Sequence, residues 1–158
     1  MIESVILLLH WVSAIGCALM AGLYFAFSAF IMRALGEIDR AAGIAAMNAI
    51  NRVILRSLFL PIFFGSTLTS LALAIISLLS WGRTGSMAML AGGVVYVSGM
   101  FVVTIARNVP LNDRLAAAQD ADTDTWANYL SDWTRWNHVR TAASVAGLVL
   151  FVLAIDQR

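Results

Sequence analysis

Tyr24, Ser28, Asn48, Asn51, Asn108, Asn112, Asn137 and Arg140 are the residues of this chain whose types and spacing could do chemistry. Tyr24 and Ser28 stand near the end of the first apolar run and Asn48 and Asn51 follow it. Asn108 and Asn112 close the third run, and Asn137 and Arg140 open the last. If the runs are helices, all eight gather at one end of a bundle. Asparagine supplies both a donor and an acceptor, and arginine a rigid fork of donors. Such a cluster could hold an oxygen-rich planar ligand or a developing oxyanion. The plainer alternative is interfacial anchoring, with Trp and Arg at headgroup level and Asn terminating helices.

Other chemistries find less support. The only imidazoles are His10 and His138. His10 lies 18 residues before Ser28, about 27 Å along a helix, whereas His138 belongs to the polar end. No acidic residue interrupts an apolar run to complete a carboxylate site, so neither a metal nor a haem is expected. Histidine titrates near neutrality, which suits His138 to general-base work. It sits about 160° around the helix from Arg140, however. Serving the same site would require a bend or a neighbouring helix on that face, and Asn137 and Arg140 come first. All 10 basic residues are arginine, which removes lysine Schiff-base and general-base chemistry. A net charge of +1 with no basic stripe gives no nucleic-acid footprint. One cysteine, Cys17, excludes an internal disulfide.

The elements that position these groups are written in the hydropathy. With 61% apolar and 12% charged residues and a mean hydropathy of +0.85, the chain lies far outside soluble averages. Ser4–Met32, Ser57–Gly82, Thr84–Ala106 and Thr141–Ile155 contain no Asp, Glu, Lys or Arg. About 20 residues cross roughly 30 Å of hydrocarbon, so three runs suffice alone. The fourth borrows a turn from Val139 and the polar helix before it. The expectation is a single transmembrane domain over 1–158, an all-α four-helix bundle. Its spans lie near 4–32, 57–80, 85–107 and 138–156, with amphipathic helical connections after the first and third. The first run has no basic residue before it and is too long for a cleaved signal, so it is read as a retained helix; Ala14–Cys17 is a poor lipidation site. Arg33, Arg40, Arg52 and Arg56 follow the first span, and Arg107, Arg114, Arg135 and Arg140 follow the third, against Arg83 and Arg158 on the other side. Both long connections are therefore placed in the cytoplasm of a cell-membrane protein and both termini outside.

Helical spacing assigns faces. His10, Ser13, Ala14, Cys17, Ala21, Tyr24 and Ser28 form one stripe of the first span, which either packs through small residues or lines a cavity. The second span starts near Pro61 and carries close-packing Gly65-x-x-x-Thr69 and Ser66-x-x-x-Ser70 spacings. The third ends at Asn108-Val109-Pro110, where proline should turn the chain. Residues 39–56 read as an amphipathic helix with Ile44, Met47, Asn51, Leu55 and Leu58 on one face. Asp120-Ala121-Asp122-Thr123-Asp124 resembles a calcium-loop start but lacks its glycine and bidentate acid; Asp122–Asp124 reads better as a turn and N-cap. Trp126, Tyr129, Leu130, Trp133, Asn137, Arg140, Ser144, Gly147 and Phe151 form the inward side of the last helix. Asn51 can be laid over Asn137 as the trace of a tandem duplication.

Four segments, Gly22-Leu23-Tyr24-Phe25-Ala26-Phe27-Ser28, Met47-Asn48-Ala49-Ile50-Asn51-Arg52, Asn108-Val109-Pro110-Leu111-Asn112 and Trp133-x-x-Trp136-Asn137-His138-x-Arg140-Thr141, resemble, in order and spacing, the anthrone oxygenase-like family of small four-span membrane proteins. The resemblance implies oxidation of an apolar aromatic, anthrone- or quinone-like substrate by dioxygen without a cofactor. In that chemistry Arg140 with Asn137 and Asn51 or Asn108 would hold an enolate oxygen, and His138 or Tyr24 would move the proton. Asn48, Asn112, Trp133 and Ser28 would complete the substrate site. The competing reading is a non-catalytic membrane module that binds a lipid or hydrophobic metabolite, or packs against partner subunits. Homo-oligomerisation is open, and a transporter would require it, because four spans make a pathway only by associating.

Overall fold

A computed structural model describes residues 2–118 and 123–157, and among them the only regular elements are helices. They are α1 (Ile2–Glu37), α2 (Arg40–Ile54), α3 (Phe59–Leu79), α4 (Ser86–Ala117) and α5 (Thr123–Asp156). Four of them, α1, α3, α4 and α5, are long and apolar enough to cross a membrane. Their outer faces show Leu8, Ile15, Leu19 and Phe25 on α1, Leu68, Ile75 and Leu78 on α3, Val94 and Val102 on α4, and Val145, Val149 and Val152 on α5. That is the inverse of a water-soluble surface and the expected coat of a lipid-embedded bundle. The chain is an all-α membrane bundle.

Because small and hydroxyl residues occupy the inward stripe, the helices approach closely and bond across the core. Ser13 donates to Thr69 at 2.8 Å and Ser66 pairs with the Tyr96 hydroxyl at 2.7 Å. At Gly93 a side chain would meet the Ser70 carbonyl at 2.6 Å. The α1 stripe is buried from His10 to Tyr24. Its middle, from Ser13 to Ala21, therefore packs helices, while His10 at the upper end and Tyr24 at the lower end each border a cavity.

Connections follow from local chemistry. Ile38 is extended, with ψ 171°, and Asp39 caps α2 by accepting from the Ala42 amide at 3.2 Å. Helix α2 then folds under the bundle onto Phe27, Met32, Leu35, Trp126, Tyr129 and Trp133, with Met47 at the centre. It ends at Ile54, so Leu55 and Leu58, expected on its inward face, are instead 58% and 77% exposed in the turn that follows. Helix α4 does not end at Asn108. It continues to Ala117, with Val109 fully helical (φ −61°, ψ −50°). Thr104–Asn108 form a π turn immediately before the proline. A widened turn gives the pyrrolidine ring room beside the carbonyls it would otherwise strike. Helix α5 is unbroken from Thr123, which joins the amphipathic segment to the last span as expected. Asp120 and Asp122 of the acidic loop lie outside the described residues.

Candidate functional site

The two ends of α4 and α5 that carry Thr104, Asn108, Trp133, Asn137 and Arg140 meet the lower end of α1 over the buried face of α2. Arg140 is the centre of the arrangement. It is only 4% exposed, and among the described residues no carboxylate pairs with it. One guanidinium nitrogen, Nη2, donates to Asn137 Oδ1 at 2.7 Å, and Nη1 reaches Thr104 Oγ1 at 3.4 Å. Nε is buried with no partner among the described residues. Two aromatic faces flank the guanidinium, Tyr24 at 4.3 Å and Trp133 at 4.9 Å from the ring centroids.

Two desolvated cation–π pairs at about 2 kcal/mol each, with two hydrogen bonds to the cation, are of the same order as the several kcal/mol that removing an ion from water costs after relaxation. An arginine kept in such a place within a membrane bundle is a candidate functional residue. Its position is held from behind. Asn137, fully buried, donates from Nδ2 to the Tyr24 carbonyl and to Ser28 Oγ, each at 2.7 Å, which turns its own Oδ1 toward Arg140. Ser28 also contacts Thr141 Oγ1 at 3.2 Å. Both neighbouring helices are widened here, α1 as a π turn over Phe27–Ile31 and α4 over Thr104–Asn108. Insertion of a side chain against a helix backbone is one cause of such distortions, and they gather at functional sites.

In front of Arg140 lies a cavity of about 190 Å³, well beyond the roughly 10–15 Å³ one water needs. Leu23, Phe27, Met47, Ile50, Ile54 and Phe59 supply an apolar wall; Tyr24, Asn51, Thr104, Asn108, Asn112, Asp113, Trp133 and Arg140 supply polar groups. Several of the latter are unsatisfied. Asn51 Nδ2, Asn108 Oδ1 and Trp133 Nε1, like Arg140 Nε, are buried without a partner among the described residues. Asn108 anchors itself by donating to the Trp133 carbonyl at 3.2 Å, and Asn112 Oδ1 accepts from the Tyr129 hydroxyl at 2.8 Å. Buried polar atoms in folded proteins are almost all bonded, so four orphans around one cavity make it the candidate site, with donors and an acceptor open to an oxygen-bearing ligand.

Of the residues expected from the sequence, Tyr24, Asn51, Asn108, Asn112, Trp133 and Arg140 line this cavity. Asn137 and Ser28 stand behind it as supports. Asn48, half-buried on α2, has an unpartnered Oδ1 but does not line the space. His138 is not brought to the site: it is exposed, and α5 runs through Asn137–Arg140 as an unbroken helix, so nothing turns its ring toward Arg140. His10 is far off, lining a separate pocket beside Ala154, 16 residues from His138 along α5 and so about 24 Å away. Thr104 and Asp113 escaped the sequence reading. The expected turn at Pro110 hid the fact that Thr104, Asn108 and Asn112 recur every four residues on one continuing helix, with Asp113 next to them.

Comparison with known proteins gives one match and two blanks. Residues 55–150 match the anthrone oxygenase family, a stretch that includes Thr104, Asn108, Asn112, Trp133, Asn137 and Arg140 and leaves Tyr24 and Asn51 outside. No curated protein and no solved structure matches the chain. The matched stretch is more than half of the 158 residues and carries the buried arginine with its supports: this protein belongs to the anthrone oxygenase family.

Proposed function

We propose that the protein is a membrane-embedded, cofactor-independent oxygenase that converts the activated methylene of an apolar aromatic, anthrone-like substrate to a ketone. The observation that carries this reading is the lone buried Arg140, with its Nε unsatisfied, facing a cavity with aromatic and aliphatic walls. A substrate of this class is neutral when it enters and anionic after losing a proton. A cation already desolvated and aimed at the oxygen stabilises the enolate more than the neutral ketone, which is the condition for catalysis. Asn51 Nδ2 is a second donor for the same oxygen, and Asn108 Oδ1 accepts from a hydroxyl on the ring.

Loss of one methylene proton to a base leaves the carbon's electron pair in the enolate. Electron transfer to dioxygen and recombination form a carbon–oxygen bond, giving a peroxide. Removal of the second proton then breaks the oxygen–oxygen bond and releases water, so that CH2 and O2 become C=O and H2O. Apolar residues Leu55, Phe59 and Val109 border the cavity, which suits a substrate arriving from the lipid. The arginines after the first and third spans support placing this end in the cytoplasm and both termini outside.

The test is oxygen uptake by protein in lipid nanodiscs supplied with an anthrone, corrected for the protein-free rate. Uptake matched by quinone formation, and lost in Arg140→Met, is the expected result. No uptake above the protein-free rate, with Arg140→Met still holding the quinone product as tightly as wild type, would leave only a non-catalytic binder of a hydrophobic metabolite or lipid.

A further inference from the structure

We propose that Asp113 is the base that takes the methylene proton, an inference that rests on the oxygenase reading above. Other candidates are occupied or absent. His138 is exposed away from the cavity. The Tyr24 hydroxyl donates to Met100 Sδ at 3.5 Å while its ring face lies under Arg140 at 4.3 Å. Asp113 is the one carboxylate among the residues that line the cavity, and it has no ion pair among the described residues.

Its placement fits the geometry of the substrate class. In an anthrone the acidic methylene lies across the central ring from the carbonyl oxygen, so oxyanion donor and base must stand at opposite ends of the bound molecule. Thr104, which meets Arg140, and Asp113 are nine residues apart on α4, about 13 Å of helix rise. Arg140 is buried at the inner end, and Asp113 is exposed at the mouth. A ring system lying along α4 therefore presents its oxygen to the guanidinium and its methylene to the carboxylate. Asp113 accepts the first proton as the C–H pair enters the enolate, and returns it to the peroxide oxygen. The regenerated carboxylate accepts the second proton as the oxygen–oxygen bond breaks, and the departing hydroxide takes it as water. Dioxygen is the oxidant, and the methylene carbon is what is oxidised.

The experiment compares wild type, Asp113→Asn and Asp113→Glu in nanodiscs, using an anthrone with a protiated or deuterated methylene and quinone binding as the control for an intact site. Expected is a 10²–10⁴-fold loss of kcat in Asp113→Asn, the range for removal of a general base. Quinone affinity should be unchanged, the deuterium effect on kcat should grow, and added formate should restore part of the rate. Asp113→Glu should keep more activity than Asp113→Asn. Wild-type turnover in Asp113→Asn overturns the assignment while leaving the oxygenase reading intact. So does a slow variant with no formate rescue and no larger isotope effect, or loss of quinone binding in both variants, since each describes a structural role. An inert wild-type protein overturns the oxygenase reading itself, and the base with it.

Discussion

The bundle has a polar pocket at each end, and the two are similar in size but opposite in how their polar groups are satisfied. The pocket beside the chain start measures about 230 Å³ and is lined by Glu3, His10, Ser80, Arg83 and Ser86. Its charges answer each other: Arg83 donates to Glu3 at 2.6 Å, with both side chains more than half exposed. His10 Nδ1 donates to the Ile6 carbonyl at 2.8 Å, and Ser86 to the Ser80 carbonyl at 3.0 Å. At the other end an arginine 4% exposed, ion-paired with no carboxylate among the described residues, faces about 190 Å³ of space beside four orphaned polar atoms. Volume does not separate these pockets; unfulfilled hydrogen bonding in a low dielectric does, because there an unmade bond is costly and a ligand that makes it is held tightly.

The contrast is sharpest at Arg140. Arg140→Met is expected to lower turnover about 10²–10³-fold, the effect of losing one oxyanion donor, while thermal stability in detergent stays equal or rises, because an unpaired buried ion is replaced by an apolar side chain of similar length. A loss of stability parallel to the loss of rate would show Arg140 to be a structural strut. Arg140→Lys should recover little, since a point charge does not reproduce the fork held by Asn137 and Thr104. Asn137→Ala comes next: it strips Arg140 Nη2, Ser28 and the Tyr24 carbonyl of a shared partner, and should destabilise by about 1–3 kcal/mol along with a fall in turnover. Unchanged melting in that variant would mean that the support is redundant. Asn51→Leu removes a buried donor with no hydrogen-bond partner among the described residues. It should cost roughly tenfold in kcat/KM, one hydrogen bond's worth, with melting unaffected. At the opposite end, Glu3→Gln should change stability by less than about 1 kcal/mol, as for other exposed pairs, and leave oxygen uptake untouched; a drop in uptake would erase the distinction between the pockets.

Much of this was legible before any coordinates. Three charge-free runs of sufficient length, and a fourth completed by the polar helix before it, determine four spanning helices whatever their order in space, because an unsatisfied backbone cannot lie in hydrocarbon. A 3.6-residue period determines which side chains share a face, so the buried row from Trp126 through Asn137 and Arg140 to Phe151 could be read in advance. Periodicity also placed His138 off that face, where the structure has it. What spacing could not reach was anything set by contacts between helices. Proline statistics ended the third span at Asn108, but a π turn carries the helix past Pro110 and delivers Asn112 and Asp113 to the cavity. Leu55 and Leu58 matched a helical face that stops at Ile54. Whether the α1 stripe packs or lines a space was open, and it does both at different depths, because the space in front of Tyr24 exists only where α2 crosses beneath the bundle. The sequence by itself determined the lipid-spanning rods and the polarity of their faces, which are properties of single helices. Only the tertiary structure decided which polar atoms find partners and which are left facing empty space, because that depends on distances between helices to within a hydrogen bond's length.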